Sequence, residues 1–185
     1  MEREKTCCFT GHRPDKLPWG SNEAHPSCLD LKRQIAESLE NAYEQGYRHF
    51  ITGMALGCDL YFCEAVLNLR DRRQGVTLEA AIPCEEQASR WRERDRSRYF
   101  ALVEQCDFET LVQRQYTSGC MQRRDRYMVD RSRLLIAAYD GMTLGGTMYT
   151  LTYALRQGLL TEVLNIERED HEDTKRVEEK KIISR

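Results

Sequence analysis

The sequence has no apolar run approaching the roughly 20 residues that a membrane-crossing helix needs, and it has no excess of either charge. Lys and Arg total 28 against 30 Asp and Glu, a formal net charge of -2. Bulk attraction to nucleic acid or to an anionic membrane is therefore not expected, although a local patch is open. The start, MEREKTCCFTGHRP, is charged and reaches only a very short apolar run, so it does not read as a secretory signal and a cytoplasmic protein is expected. None of the eight cysteines forms a CxxC pair, and several sit inside apolar runs, where a free thiol behaves as a small hydrophobe. His12, His25, His49 and His171 are scattered without ligand spacing, so no zinc site is expected. GxGxxG and GxxxxGK[ST] are both missing, which removes a standard dinucleotide fingerprint and a Walker loop.

What is present is an alternation of short apolar runs and amphipathic stretches. Thr6–Thr10, His49–Thr52, Val76–Ile82, Phe108–Val112, Leu134–Tyr139 and Glu162–Ile166 read as strands. Between them, Leu31, Ile35, Leu39, Ala42 and Tyr43 make one helical stripe, with Ser27 and Asp30 as an expected capping box. Further helices are expected after Asp59, over Glu85–Cys106 and Ser118–Ser132, and from Gly145-Gly146-Thr147 to Gly158. Asp15–Pro26 reads as an irregular loop. With hairpin signals nearly absent, this repetition predicts an α/β three-layer sandwich: a mostly parallel sheet with helices on both faces. One domain over residues 1–166 and a charged tail over 167–185 are expected.

In such a sheet the ligand crevice lies beyond the carboxyl ends of the strands. Three glycine-bearing turns fall there: Thr10–Pro14, Thr52–Asp59, and Asp140-Gly141 with Gly145-Gly146-Thr147. A missing side chain lets a ligand approach backbone N–H groups, and a helix N-terminus favours an anion. These turns suit a phosphate-bearing ligand, with Arg13 as its counter-charge through the guanidinium fork. His12 is open to acid–base use, ligand contact or loop anchoring. Asp59 is open to helix capping or to accepting a ribose or base hydrogen bond. Asp125 and Arg126 are expected to reach the same crevice. The arginines at 90–98 and 123–133 read as a solvated face or as a patch for single-stranded nucleic acid.

TGHRP after the first strand, TGMALGCD after the second, the segment around Trp91, DRYMVDRS, and the YDG and GGT turns together resemble the YpsA-like family of the SLOG superfamily, up to about Ile166. The resemblance implies a modified Rossmann-like fold, kinship with DprA/Smf and LOG-type proteins, and binding of a nucleotide-derived ligand such as NAD, ADP-ribose or a nucleoside phosphate. On that resemblance the ligand-binding positions are Gly11, His12, Arg13, Gly53, Gly57, Asp59, Gly145, Gly146 and Thr147, to which the crevice argument adds Arg126 and Asp140. LOG enzymes carry PGGxGTxxE; here the glutamate position is Thr150 and the proline is absent. Hydrolysis of an N-glycosidic or phosphoester bond then needs another carboxylate, with Asp59 or Glu64 as the expected general base and Glu85 as a further candidate. The leading expectation is a bacterial nucleotide-ligand binder with a regulatory role, in a homo-oligomer. A nucleic-acid or protein scaffold and a nucleotide hydrolase are the alternatives.

Overall fold

The structure, a computed structural model, describes residues 2–167. Its strands are β1 (Thr6–Gly11), β2 (His49–Thr52), β3 (Thr77–Ile82), β4 (Phe108–Leu111), β5 (Leu134–Tyr139) and β6 (Leu160–Asn165). Between them run α1 (Pro26–Glu44), α2 (Cys58–Arg72), α3 (Glu93–Val103), α4 (Cys120–Asp130) and α5 (Gly146–Arg156). All strand pairs are parallel, in the order β4-β3-β2-β1-β5-β6. The expected three-layer α/β class is the fold observed.

The pleat divides the core in two. Cys7, Phe9, Phe50, Leu78, Ile136 and Ala138 pack under α1, α2 and α3, while Cys8, Ile51, Ala81, Leu135 and Ala137 pack under α4 and α5. β1 and β5 are covered on both faces, which is why they read as uninterrupted apolar runs rather than as alternating ones. β4, at the edge, is mostly exposed. All eight cysteines are free thiols and only Cys106 is not fully buried. No helix among the described residues is long and apolar enough to cross a membrane.

Three local expectations change. The cap of α1 is His25, whose Nδ1 accepts from the Ser27 N–H at 3.2 Å, with Pro26 in the first turn. Asp30 instead accepts from Arg33 and Gln34, so Ser27 and Asp30 form no capping box. In Glu85–Cys106 only Glu93–Val103 is helical. Arg92 is extended, and Glu93 and Asp95, two carboxylates in the first turn, favour a start there. Trp91 therefore precedes the helix and packs edge-on against Tyr99. β6 begins two residues earlier than expected, at Leu160. The tail expected over 167–185 lies, beyond Glu167, outside the described residues.

Candidate functional site

β1 feeds α1 on one face of the sheet and β5 feeds α5 on the other, so the chain parts between two neighbouring strands. This switch point opens a crevice at the carboxyl edge. Here it measures about 250 Å³. The end of β1 and the turn beyond contribute Thr10 to Arg13 and Lys16; the loop after β2 contributes Ala55 and Asp59. Met121, Arg124 and Asp125 enter from α4, and Gly146 and Thr147 from α5. A larger hollow of about 320 Å³ lies between α1 and the end of β6, and another of about 380 Å³ between α1 and α2.

Close backbone approach assembles the crevice. The N–H of Cys58 donates to the His12 carbonyl at 3.1 Å, tying the start of α2 to the end of β1. Gly57 caps α2 at φ +90°, and a Cβ there would lie 2.7 Å from the His12 carbonyl oxygen. Across the switch point, His12 is 3% exposed, with Nδ1 3.2 Å from Thr147 Oγ1 and Nε2 2.8 Å from Asp140 Oδ1. The second contact has ion-pair length but not the angle of an aligned hydrogen bond.

Arg124 is buried in the floor. Its Nη1 donates to the Gly53 carbonyl, its Nε donates to Asp125 at 2.8 Å, and Asp59 lies 3.8 Å away. Asp59 also accepts the Ala55 N–H at 3.1 Å. Burial pushes the Asp59 carboxyl up to about 6, an effect that Arg124 and the Ala55 N–H only partly offset. α5 is preceded by Gly145, which offers no side-chain cap and leaves the first N–H groups of the helix to serve an anion.

The raised Asp59 value has a definite pH consequence. Between about 4 and 6 the unfolded chain has already released this proton while the folded chain keeps it, so the Asp59 contribution to stability falls as pH rises through that window. The full difference is ~3 kcal/mol. Asp59→Asn is expected to flatten this fall and to raise stability at pH 7 by ~1–3 kcal/mol in urea melts followed from pH 4 to 7. An equal pH slope in both proteins would contradict it.

Gly11, His12, Arg13, Asp59, Gly146 and Thr147 line the crevice as expected from sequence; Gly53, Gly57 and Asp140 abut its lining residues, and Gly145 caps the helix beside it. Glu64 is elsewhere. It lies about 140° around α2 from Asp59, where it accepts from Arg98 at 2.8 Å, so of the two carboxylates expected as a general base only Asp59 lines the crevice. Arg126 also points away, donating to the Tyr149 hydroxyl at 2.7 Å and lying over the Tyr149 and Tyr153 rings. One residue missed as a site candidate is Arg124. Its signal was the stripe Met121, Arg124, Asp125 and Met128, spaced i, i+3, i+4 and i+7, which is the inward face of α4. Lys16 was missed in a loop with no periodicity to read. Among the described residues no group of three or more His, Cys, Asp or Glu is placed to hold a metal.

The YpsA family model, described as the YspA SLOG family, matches residues 7–165. A UPF0398 protein of Halalkalibacterium halodurans is 26% identical over 155 residues, 83% of this chain and 82% of that protein. A UPF0398 protein of Bacillus cereus is 26% identical over 156 residues, 83% of this chain and 84% of that one. Among solved structures, DNA processing protein A from Helicobacter pylori has a TM-score of 0.59 at 16% identity, covering 95% of this chain and 72% of that chain. DNA processing protein A from Streptococcus pneumoniae has a TM-score of 0.59 at 14% identity, over 96% of this chain and 56% of that one. These two likenesses are likenesses of fold.

Proposed function

Since this chain belongs to the YspA SLOG family, we propose that the crevice between β1 and β5 binds a nucleotide or nucleotide-derived ligand by its phosphate, in a cytoplasmic and regulatory role. The observation that carries this reading is the convergence of an uncapped helix N-terminus, the buried Arg124 guanidinium and the exposed cations Arg13 and Lys16 on one crevice. A volume of about 250 Å³ suits a phosphate and its sugar better than a whole dinucleotide, so a ligand such as NAD or ADP-ribose extends past Arg13 into solvent. Asp59 and Asp125, set against Arg124, are acceptors suited to ribose hydroxyls.

Titration calorimetry with AMP, ADP-ribose and NAD tests this. A Cβ at Gly146 meets nothing within 4 Å, so Gly146→Val is expected to fold and to crowd the crevice. Affinity is expected to fall by about 100-fold in Gly146→Val and by about 10-fold in Arg13→Ala, the latter losing one exposed charge-assisted contact. Absence of any heat with the wild type would remove the reading.

A second reading has one specific support: the Helicobacter pylori protein of like fold binds single-stranded DNA. It requires steeply salt-dependent binding of an oligonucleotide, weakened in Arg123→Ala or Arg126→Ala. The engagement of Arg123 with Gln113 and of Arg126 with Tyr149 weighs against it.

A further inference from the structure

Thr147, His12 and Asp140 form a line across the switch point. Thr147 is the second residue of α5 and lines the crevice, with its Oγ1 3.2 Å from His12 Nδ1. The other ring nitrogen is 2.8 Å from the Asp140 carboxylate. When that carboxylate holds the proton on Nε2, Nδ1 is left as an acceptor for the threonine hydroxyl. A hydroxyl, a base within reach of its proton and a carboxylate orienting the base are the parts of an activated oxygen nucleophile. The 3.2 Å separation and the unaligned Nε2 contact are ordinary for such a group without its substrate. The neighbouring N–H groups of α5 would stabilise negative charge developing on the group attacked.

We propose that Thr147 is a nucleophile for phosphoryl transfer, with His12 as its general base and Asp140 as the positioning residue; this rests on the phosphate-binding reading above. Thr147 Oγ1 attacks the phosphorus of a phosphate seated on the first N–H groups of α5. The Oγ1–P bond forms as the bond from phosphorus to the leaving oxygen breaks, and the hydroxyl proton passes to His12 Nδ1 and on to that oxygen. Water then attacks the phosphothreonine and gives one proton to His12. The P–Oγ1 bond breaks, and Oγ1 recovers that proton. The net reaction is hydrolysis of a phosphate ester or anhydride, with the protein unchanged.

The test uses the full chain with two probes, ADP and p-nitrophenyl phosphate. Phosphate release is followed together with the intact mass of acid-quenched protein, and ADP affinity is measured separately by calorimetry. The wild type is expected to release phosphate and to carry one phosphoryl group on Thr147. Thr147→Val should lose both, Thr147→Ser should restore both, and Asp140→Asn should lower kcat by about 100-fold or more with little change in KM. ADP binding with no phosphate release and no adduct overturns the nucleophile and leaves the binding reading intact. Phosphate release that survives in Thr147→Val also overturns it. Thr147-dependent release from p-nitrophenyl phosphate without ADP binding upholds the nucleophile and removes the nucleotide reading.

Discussion

Glu79→Ala is expected to destabilise the protein by about 3–5 kcal/mol, a large share of the ~5–15 kcal/mol that holds a typical domain. Glu79 is 2% exposed within the sheet, and three donors converge on its carboxylate. They are His49 Nε2 on β2 at 2.9 Å, the Thr110 hydroxyl on β4 at 2.8 Å and the Tyr127 hydroxyl on α4. His49 is held at its other nitrogen by the Thr77 hydroxyl, 2.9 Å away. Burial alone would raise the Glu79 carboxyl; the three donors overcome it and hold the group below the ordinary carboxylate range. Alanine removes the acceptor and leaves all three donors facing a void, which costs far more than a missing net hydrogen bond. Glu79→Gln keeps an acceptor oxygen and is expected to lose less than half as much. Because the Glu79 value is lowered in the folded state, the ionised carboxylate stabilises above the usual carboxylate range, and that contribution is lost as pH falls through the folded value. Urea melts at pH 7 and pH 4 measure both effects. A loss under about 1 kcal/mol for Glu79→Ala at pH 7 would show the network to be dispensable.

Gly53→Ala is expected to weaken ligand binding sharply by evicting Arg124. A Cβ at residue 53 would stand 1.5 Å from Arg124 Nη1, 2.2 Å from Cζ and 2.9 Å from Nε. Gly53 has no positive φ, so the added methyl acts through space and not through backbone strain. Displacing the guanidinium strips the Gly53 carbonyl and the Asp125 carboxylate of their shared donor, at a cost of about 1–3 kcal/mol in stability. Affinity for AMP or ADP-ribose is expected to fall by about 100-fold, the equivalent of ~2.7 kcal/mol. Calorimetry paired with a urea melt separates the two consequences. Wild-type affinity in Gly53→Ala would mean that Arg124 holds the loop but not the ligand, and the phosphate would then rest on Arg13, Lys16 and the α5 N-terminus alone.

The two positions differ in how they show in the sequence. Gly53 was legible, because a glycine ending a strand marks a place where something comes close. What comes close was not, since Arg124 lies 71 residues away. On α4, Arg124 and Arg126 are equally basic and only two residues apart, about 200° around the helix, so one floors the crevice and the other joins the tyrosines outside it. Residue type does not choose between them; the rotation of the helix on the sheet does. Asp59 and Glu64 divide in the same way, one into the crevice and one onto Arg98.

By itself the sequence determined the list of elements, the parallel class and the three glycine turns. Each of these follows from local chemistry: apolar period, strand length, and where a side chain is missing. Even there it placed the α1 cap on Ser27 instead of His25 and drew α3 too long, because side-chain–backbone bonds and a first turn of carboxylates decide ends that periodicity leaves blurred. Only the tertiary structure decided that β1 lies between β2 and β5. That order brings His12 to Thr147 across 135 residues and sets it against Asp140, and the same packing gathers donors from three other elements around Glu79. Strand order is set by packing of the whole chain, through which crossover covers which face, and no window of residues carries that information.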